Sequence, residues 1–227
     1  VIVLAIETSM GRTSVALATG RAGKPVIAKR IEAGQGQAEK LIPLIGALMD
    51  EAGVSFADLD RLAVSIGPGG FSGIRTGVAA ARGIGLAASV PVAGATSFRI
   101  MARAYEQTSG AAEPYGIAAP AGLGAVYCQI FALGEKALTG IVALPRAECG
   151  AFFAGRAKVL TGPAAASLSE EGLVSLRIAA LELFPDAAML AEIAPCLDPE
   201  RDLPVPHYVR EADAKPQSGH VIALKAD

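Results

Sequence analysis

The sequence predicts an α/β protein built as two lobes of related fold with a cleft between them. Three observations carry this. A strand–turn–strand pattern opens the chain over residues 1–18 and recurs over 115–133, with Gly124 falling on Gly11 when the two are aligned. A strand-like run, Leu62 to Ile66, enters the loop Gly67-Pro68-Gly69-Gly70-Phe71-Ser72-Gly73, and small and apolar residues then continue to Ser89, which reads as strand, glycine-rich turn, helix. Finally, 227 residues at 52% hydrophobic and 19% charged supply a sizeable core and exclude global disorder.

In chain order, Val1 to Glu7 is a buried strand, Glu7 to Arg12 a polar turn, and Thr13 to Ala18 the returning strand of a hairpin. Gly20 to Pro25 is a second turn and Val26 to Ile31 a third strand. Residues 37–52 form a helix whose apolar face is Ala38, Leu41, Ile42, Ile45, Leu48, Met49 and Ala52. Pro43 is expected to kink it or confine its regular part to the second half. After the glycine-rich loop and its helix, Val90 to Gly94 is a short strand, and Thr96 to Gln107 a helix capped by Thr96 or Ser97. Tyr115 to Ala119, a turn at Pro120 to Gly124, and Ala125 to Leu133 open the second half. Beyond them, Val159 to Thr161 reads as a strand running into the turn Gly162-Pro163, and 181–194 as a helical run interrupted at Pro185. The tail from Pro204 is proline-rich without a clear period. The expected lobes are 1–108 and 109–200, with a tail at 201–227 packing back on the first lobe.

The glycine-rich loop is a candidate anion site. Ser72 is placed to cap the helix, and the free first-turn amides carry the positive end of the helix dipole. No Gly-Lys-Ser/Thr ends the loop, and Gly67, Gly69 and Gly73 do not have G-x-G-x-x-G spacing, so the phosphate loop of nucleotide hydrolases and the dinucleotide fingerprint are both excluded. A tight connection without ligand is the competing reading. Within the helix, Gly73, Gly77, Ala81, Gly85 and Ser89 recur every fourth residue and make a bare stripe of about 25 Å. Glycine inside a helix costs on the order of 1 kcal/mol against alanine, so another backbone must pack there, either this chain's own sheet or a second subunit.

Net charge is −2, which gives no support for a broad polyanion-binding surface. Locally, Arg61, Arg75, Arg82, Arg99 and Arg103 lie in a stretch without Asp or Glu, open to an acidic partner, to a nucleotide or to solvent. Three widely spaced cysteines, Cys128, Cys149 and Cys196, point to a reducing compartment and to no zinc knuckle. Val1 to Ile6 lacks a basic flank and runs into Glu7, and Thr76 to Ala95 is interrupted by Arg82 and Pro91. No signal peptide or membrane span is expected, and the expected location is cytoplasmic.

The run Leu4-Ala5-Ile6-Glu7-Thr8-Ser9, Glu39-Lys40-Leu41-Ile42-Pro43, the loop Gly67 to Gly77 with its helix, and Tyr208-Val209-Arg210 with Asp213-Ala214-Lys215 together resemble the TsaB (YeaZ) family, a TsaD-like, peptidase M22-like group of threonylcarbamoyladenosine biosynthesis. The likeness covers nearly the whole chain. It implies the two-lobed fold of the actin, sugar-kinase and Hsp70 superfamily (ASKHA), each lobe a mixed sheet with flanking helices. It also implies a non-catalytic scaffold or activator subunit of a tRNA-modifying complex. Such a subunit pairs through first-lobe helices with TsaD, which transfers threonylcarbamoyl to the adenosine beside the anticodon. TsaE joins the pair, and a homodimer forms when the chain is alone. On this reading the partner interface is Leu41, Ile45, Leu48, Met49, Gly73, Arg75, Gly77, Ala81, Arg82 and Gly85. The nucleotide or anion contacts are Glu7, Thr8, Ser9, Gly69, Gly70 and Ser72.

No catalytic and no metal-ligating residue is assigned. His207 and His220 are the only histidines, both near the tail, and they supply neither a metal pair at zinc spacing nor a nucleophile–base arrangement. Where the family's pattern carries acids in the second lobe, this chain has Pro120-Ala121-Gly122, Ala125-Val126-Tyr127 and Gly162-Pro163-Ala164. Gln37 stands where many members have histidine. No cofactor of its own is expected, with ATP and magnesium belonging only to a complex. The alternative is an ATP-dependent small-molecule kinase or hydrolase of the same fold, holding phosphate with loop 67–73 and magnesium with Glu7. Contact with tRNA is left open.

Overall fold

The computed structural model describes residues 1–20, 26–31, 37–179 and 183–210, with the side chains of residues 37 and 38 set aside. The turn at 21–25, His220 and the motif 213–215 lie outside the described residues.

In the first lobe, strands β1 (Val3–Glu7), β2 (Thr13–Ala18), β3 (Ile27–Ile31), β4 (Arg61–Ser65) and β5 (Val92–Ala95) form one sheet in the order β3-β2-β1-β4-β5. β1 pairs antiparallel with β2, Glu7 opposite Ser14, and parallel with β4, Leu4 opposite Leu62. Period-two alternation gives this sheet two buried faces. Leu4, Ile6, Val15, Leu17, Leu62 and Val64 lie under helices α1 (Gln37–Ala52) and α2 (Phe71–Ala88). The opposite face is lined by small residues, Ala5, Ala16, Ala63, Ala93 and Ala95, which let helix α6 (Ala187–Ile193) pack closely. Residues 187–197 therefore belong to the core of the first sheet, and the range 109–200 does not close on a single lobe. Arg61 secures this return by donating from Nη1 to the carbonyls of Ala194 and Leu197 at 2.7 and 2.6 Å, the negative end of the helical run.

The second sheet repeats the first. Strands β6 (Tyr115–Pro120) and β7 (Ala125–Ala132) make the second hairpin. β8 (Lys136–Ala137) and β9 (Val142–Pro145) both pair with β7, and β10 (Val159–Thr161) lies parallel between β6 and β11 (Arg177–Ile178). The order β11-β10-β6-β7 mirrors β5-β4-β1-β2. The turns correspond as well, Gly11 and Gly124 both being left-handed at φ 74° and 76°. Helices α4 (Cys149–Phe153) and α5 (Ala165–Glu170) cover one face. Helix α3 (Ser97–Ser109) covers the other through Phe98, Met101, Ala102 and Tyr105, while its Ile100 reaches the core of the first lobe. α3 is thus common to both cores. Thr96 caps it, its Oγ1 accepting from Arg99 N at 3.1 Å.

Two local expectations change and a third holds. α1 runs unbroken through Pro43, whose ring lies on the exposed side of the helix, where the carbonyl left without a donor is open to water. Ser72 does not cap α2: the helix starts at Phe71, Gly70 is the capping residue, and no side chain completes the cap. The run 181–194 is interrupted at Pro185 as expected: among its described residues helix begins at Ala187, where Asp186 Oδ1 accepts from Ala188 N at 2.8 Å. No helix among the described residues is long and apolar enough to cross a membrane.

The bare stripe of α2 packs on the chain's own first lobe. A side chain at Gly73 would run into the Thr8 carbonyl, at Gly77 into the Thr8 side chain, and at Gly85 into Val92 and the Val90 carbonyl. Gly77→Leu is therefore expected to destabilise the isolated chain by about 3 kcal/mol through overpacking, read as a lower midpoint in urea or thermal unfolding. An unchanged midpoint would show that the stripe is open.

Candidate functional site

Two turns meet at the base of the cleft. Turn 7–9 leaves β1 and loop 67–70 leaves the adjacent parallel β4, so sheet register alone brings them side by side. Gly70 N donates to Ser9 O at 2.6 Å, and Ser97 N donates to Gly67 O at 2.8 Å, tying the loop to the start of α3. Gly69 is required here because any Cβ would collide with the Ser9 carbonyl. Thr8 Oγ1 donates to Gly73 O at 2.8 Å.

Glu7 lies beneath this contact, 1% exposed. Its Oε1 accepts from Ser9 N at 2.5 Å and Ser9 Oγ at 2.6 Å, while Oε2 has no partner among the described residues. Ser9 Oγ also lies 2.7 Å from Ser97 Oγ. The single Ser9 hydroxyl proton goes to the carboxylate, so Ser97 is the donor of that pair. Burial pushes the Glu7 carboxyl above its ordinary value, against the hydrogen bonds from Ser9 that pull it down.

Of the candidate anion contacts, Thr8 and Ser9 are buried and committed to internal bonds, and Ser72 is exposed on the first turn of α2 without a capping role. The Gly70 amide is taken by Ser9. Gly69 and Gly70 line a cleft pocket of about 320 Å³ with Met10, Gly11, Pro120, Pro163 and Phe184, none of which ionises. Pro120 and Pro163 stand at the positions where the acids are absent from the sequence. This wall does not fit a magnesium-bound nucleotide: Glu7 sits behind Ser9, and the second lobe presents proline rings. No group of three or more His, Cys, Asp or Glu gathers among the described residues. Cys128 and Cys149, distant in sequence, meet with sulfurs 3.7 Å apart in the second core, where burial raises both thiols above their ordinary value.

The candidate interface residues separate. Leu41, Ile45, Leu48 and Met49 are core residues, 0–3% exposed. Gly77, Ala81 and Gly85 are buried against the lobe, and Gly73 is half-buried over Thr8. These side chains face inward because the apolar stripe of each helix is the one that covers the sheet. Arg82 is exposed, and Arg75 lies at the surface over Phe71. The Arg-only segment is largely neutralised internally. Arg99 and Arg103 reach Glu135 of the second lobe at 3.7 and 3.5 Å, Arg103 also meets Glu192 at 3.5 Å, and Arg61 serves α6.

The outer surface of α1 and α2 carries an apolar groove of about 680 Å³ lined by Ile42, Phe56, Ala80, Gly83, Ile84 and Ala87, with Ile45 on its floor. Beside it Leu86 is 85% exposed. Sequence reasoning concentrated on the small-residue stripe and missed the adjacent row Ala80, Gly83, Ile84, Ala87, whose helical spacing was there to be found.

Glu7→Gln is expected to change the pH dependence of stability. Below 4.5, the ordinary carboxyl value, both folded and unfolded chains hold the proton. As pH rises from there, the unfolded chain ionises first and the folded state loses stability until its own raised value is passed. The stability of the variant relative to the wild type should therefore rise from acid to neutral pH in urea titrations. A difference that stays flat would remove burial as the controlling term.

A family model described as "TsaD: tRNA N6-adenosine threonylcarbamoyltransferase" matches residues 31–186. A tRNA N6-adenosine threonylcarbamoyltransferase of Erythrobacter litoralis (strain HTCC2594) is 38% identical over 108 residues, covering 40% of this chain and 30% of the relative. The tRNA threonylcarbamoyladenosine biosynthesis protein TsaB of Escherichia coli (strain K12) is 30% identical over 100 residues, covering 44% and 43%. Among solved structures, an uncharacterized protein with similarity to peptidase YEAZ from Pseudomonas aeruginosa superposes with a TM-score of 0.77 at 25% identity, covering 92% of this chain and 99% of that one. The matches span 30% and 43% of the lengths of the two named curated relatives.

Proposed function

We propose, for a chain that belongs to the TsaD family and within it to the TsaB/YeaZ group, a non-catalytic scaffold or activator role in tRNA threonylcarbamoyladenosine biosynthesis. In this reading the chain pairs with TsaD, and TsaD performs the threonylcarbamoyl transfer to the adenosine beside the anticodon. TsaE joins the pair, and two copies of this chain associate through the same surface when TsaD is absent.

The observation that carries this reading is the apolar groove between α1 and α2 with Leu86 standing beside it. A patch of this kind favours burial against another protein. The seat of the contact is the outer row Ile42, Phe56, Gly83, Leu86 and Ala87, in place of the inward-facing Leu41, Leu48, Gly77 and Gly85. The non-ionising cleft wall supports a chain without nucleotide chemistry of its own, and it weighs against the kinase or hydrolase alternative.

The test is gel filtration with light scattering on this chain alone, on its mixture with TsaD of the same organism, and on Gly83→Glu. A Cβ at Gly83 meets open space, so the variant folds while placing a charge in the groove. Complex formation that restores transfer supports the pairing, and Gly83→Glu is expected to weaken it about 100-fold through a buried unpaired charge. A complex of undiminished affinity would place the contact elsewhere. No complex with wild-type chain would overturn the scaffold reading.

A further inference from the structure

We infer that the segment 201–210 is a latch that holds the second-lobe wall of the cleft against the first lobe, with Arg210 as its bolt and Tyr208 as its anchor. The segment is extended and lies along the first lobe by backbone bonds: Gly94 N donates to Asp202 O at 2.7 Å, and His207 N donates to Ile66 O at 2.7 Å. Apolar burial contributes little along the first lobe, where Leu203 and Val205 are each 53% exposed, and enters only at Val209, which packs partly buried against the second-lobe core. The anchor is polar and aromatic. The Tyr208 ring stacks on Phe71 with centroids 5.1 Å apart, and its hydroxyl accepts from Arg75 Nε at 2.8 Å. The Arg75 guanidinium in turn lies 3.6 Å over the Phe71 ring centroid. Phe71 and Arg75 are one turn apart on α2, so the anchor is rigid.

Two residues further on, the chain crosses to the second lobe. Arg210 Nη1 donates to Ala121 O at 2.5 Å and to Gly122 O at 3.1 Å. The hairpin turn it grips is otherwise closed by two backbone bonds, Ala121 N to Ala125 O and Ala125 N to Gly122 O, with Ala121 against the second-lobe core. Gly122, Leu123 and Gly124 are all left-handed, at φ 72°, 48° and 76°, which is costly at leucine, and Leu123 is 81% exposed. Pro120, at the start of that turn, faces Gly69 and Gly70 across the cleft pocket. A charged donor shared by two carbonyls of such a turn fixes the wall of the pocket. With the bolt withdrawn, the Pro120 part of the second-lobe wall is released, while Pro163 stays with β10.

Hydrogen exchange on the whole chain tests this. The reporter amides are Ala121 and Ala125, bonded to Ala125 O and Gly122 O at 3.0 and 2.9 Å. Arg210→Ala is expected to speed their exchange about tenfold or more, with the paired amides of β6 and of β7 from Tyr127 onward unchanged. Tyr208→Ala, an exposed site whose loss leaves both cores intact, is expected to speed the same amides, while Tyr208→Phe, which keeps the stack, moves them less. Unchanged rates at 121–125 in either alanine variant would overturn the latch. So would a uniform rise across the second lobe, which reports general loosening.

Discussion

The docking of turn 7–9 onto loop 67–73 is the contact on which the rest of the molecule depends. Two neighbouring parallel strands end at the same edge, and their turns must share one small volume. Glycine at 69 and 73 lets the Thr8 and Ser9 carbonyls enter that volume, and the Gly70 amide receives one of them. The same contact seals Glu7 beneath Ser9, fixes where α2 begins, and joins through Ser97 to the helix shared by both lobes. In a nucleotide-binding arrangement such turns leave their amides free for phosphate. Here the protein's own backbone occupies one of them.

A consequence is a division of labour between surfaces. The cleft pocket is lined by methionine, glycine, proline and phenylalanine, and the extended strap 201–210 reaches the turn beside it through Arg210. The outer face of α1 and α2 is apolar and open. Ion pairs between α3 and Glu135, together with Glu106 accepting from Tyr115 Oη and from the Gly134 and Glu135 amides, tie the back of the two lobes together.

The α/β class, both hairpins, α1, α2 and a cap at Thr96 or Ser97 were legible because each is local. Alternating apolar runs, turn glycines and helical spacing act within a few residues of chain. The minor strands β8 and β11 and the short helices α4 and α5 were not legible, since elements this short have no period of their own and exist only where a neighbouring sheet edge or core receives them. The failed Ser72 cap has the same origin: the position of Ser9 decided which residue leads α2.

What the sequence determined by itself is the kind of pieces and the chemistry they lack: a glycine-rich strand–helix connection, a helix with one bare face, and second-lobe turns without acids. Which way those pieces face was decided only in three dimensions. The bare stripe at Gly73, Gly77 and Gly85 turned inward because Thr8, Val90 and Val92 of the same chain fill it, leaving Ala80, Gly83 and Ala87 outside. The arginines of the acid-free segment found carboxylates more than thirty residues away in sequence for Arg99 and Arg103, and the strap found the second-lobe turn through Arg210. Such pairings depend on register between strands and on the close approach of distant backbone, which local periodicity does not encode.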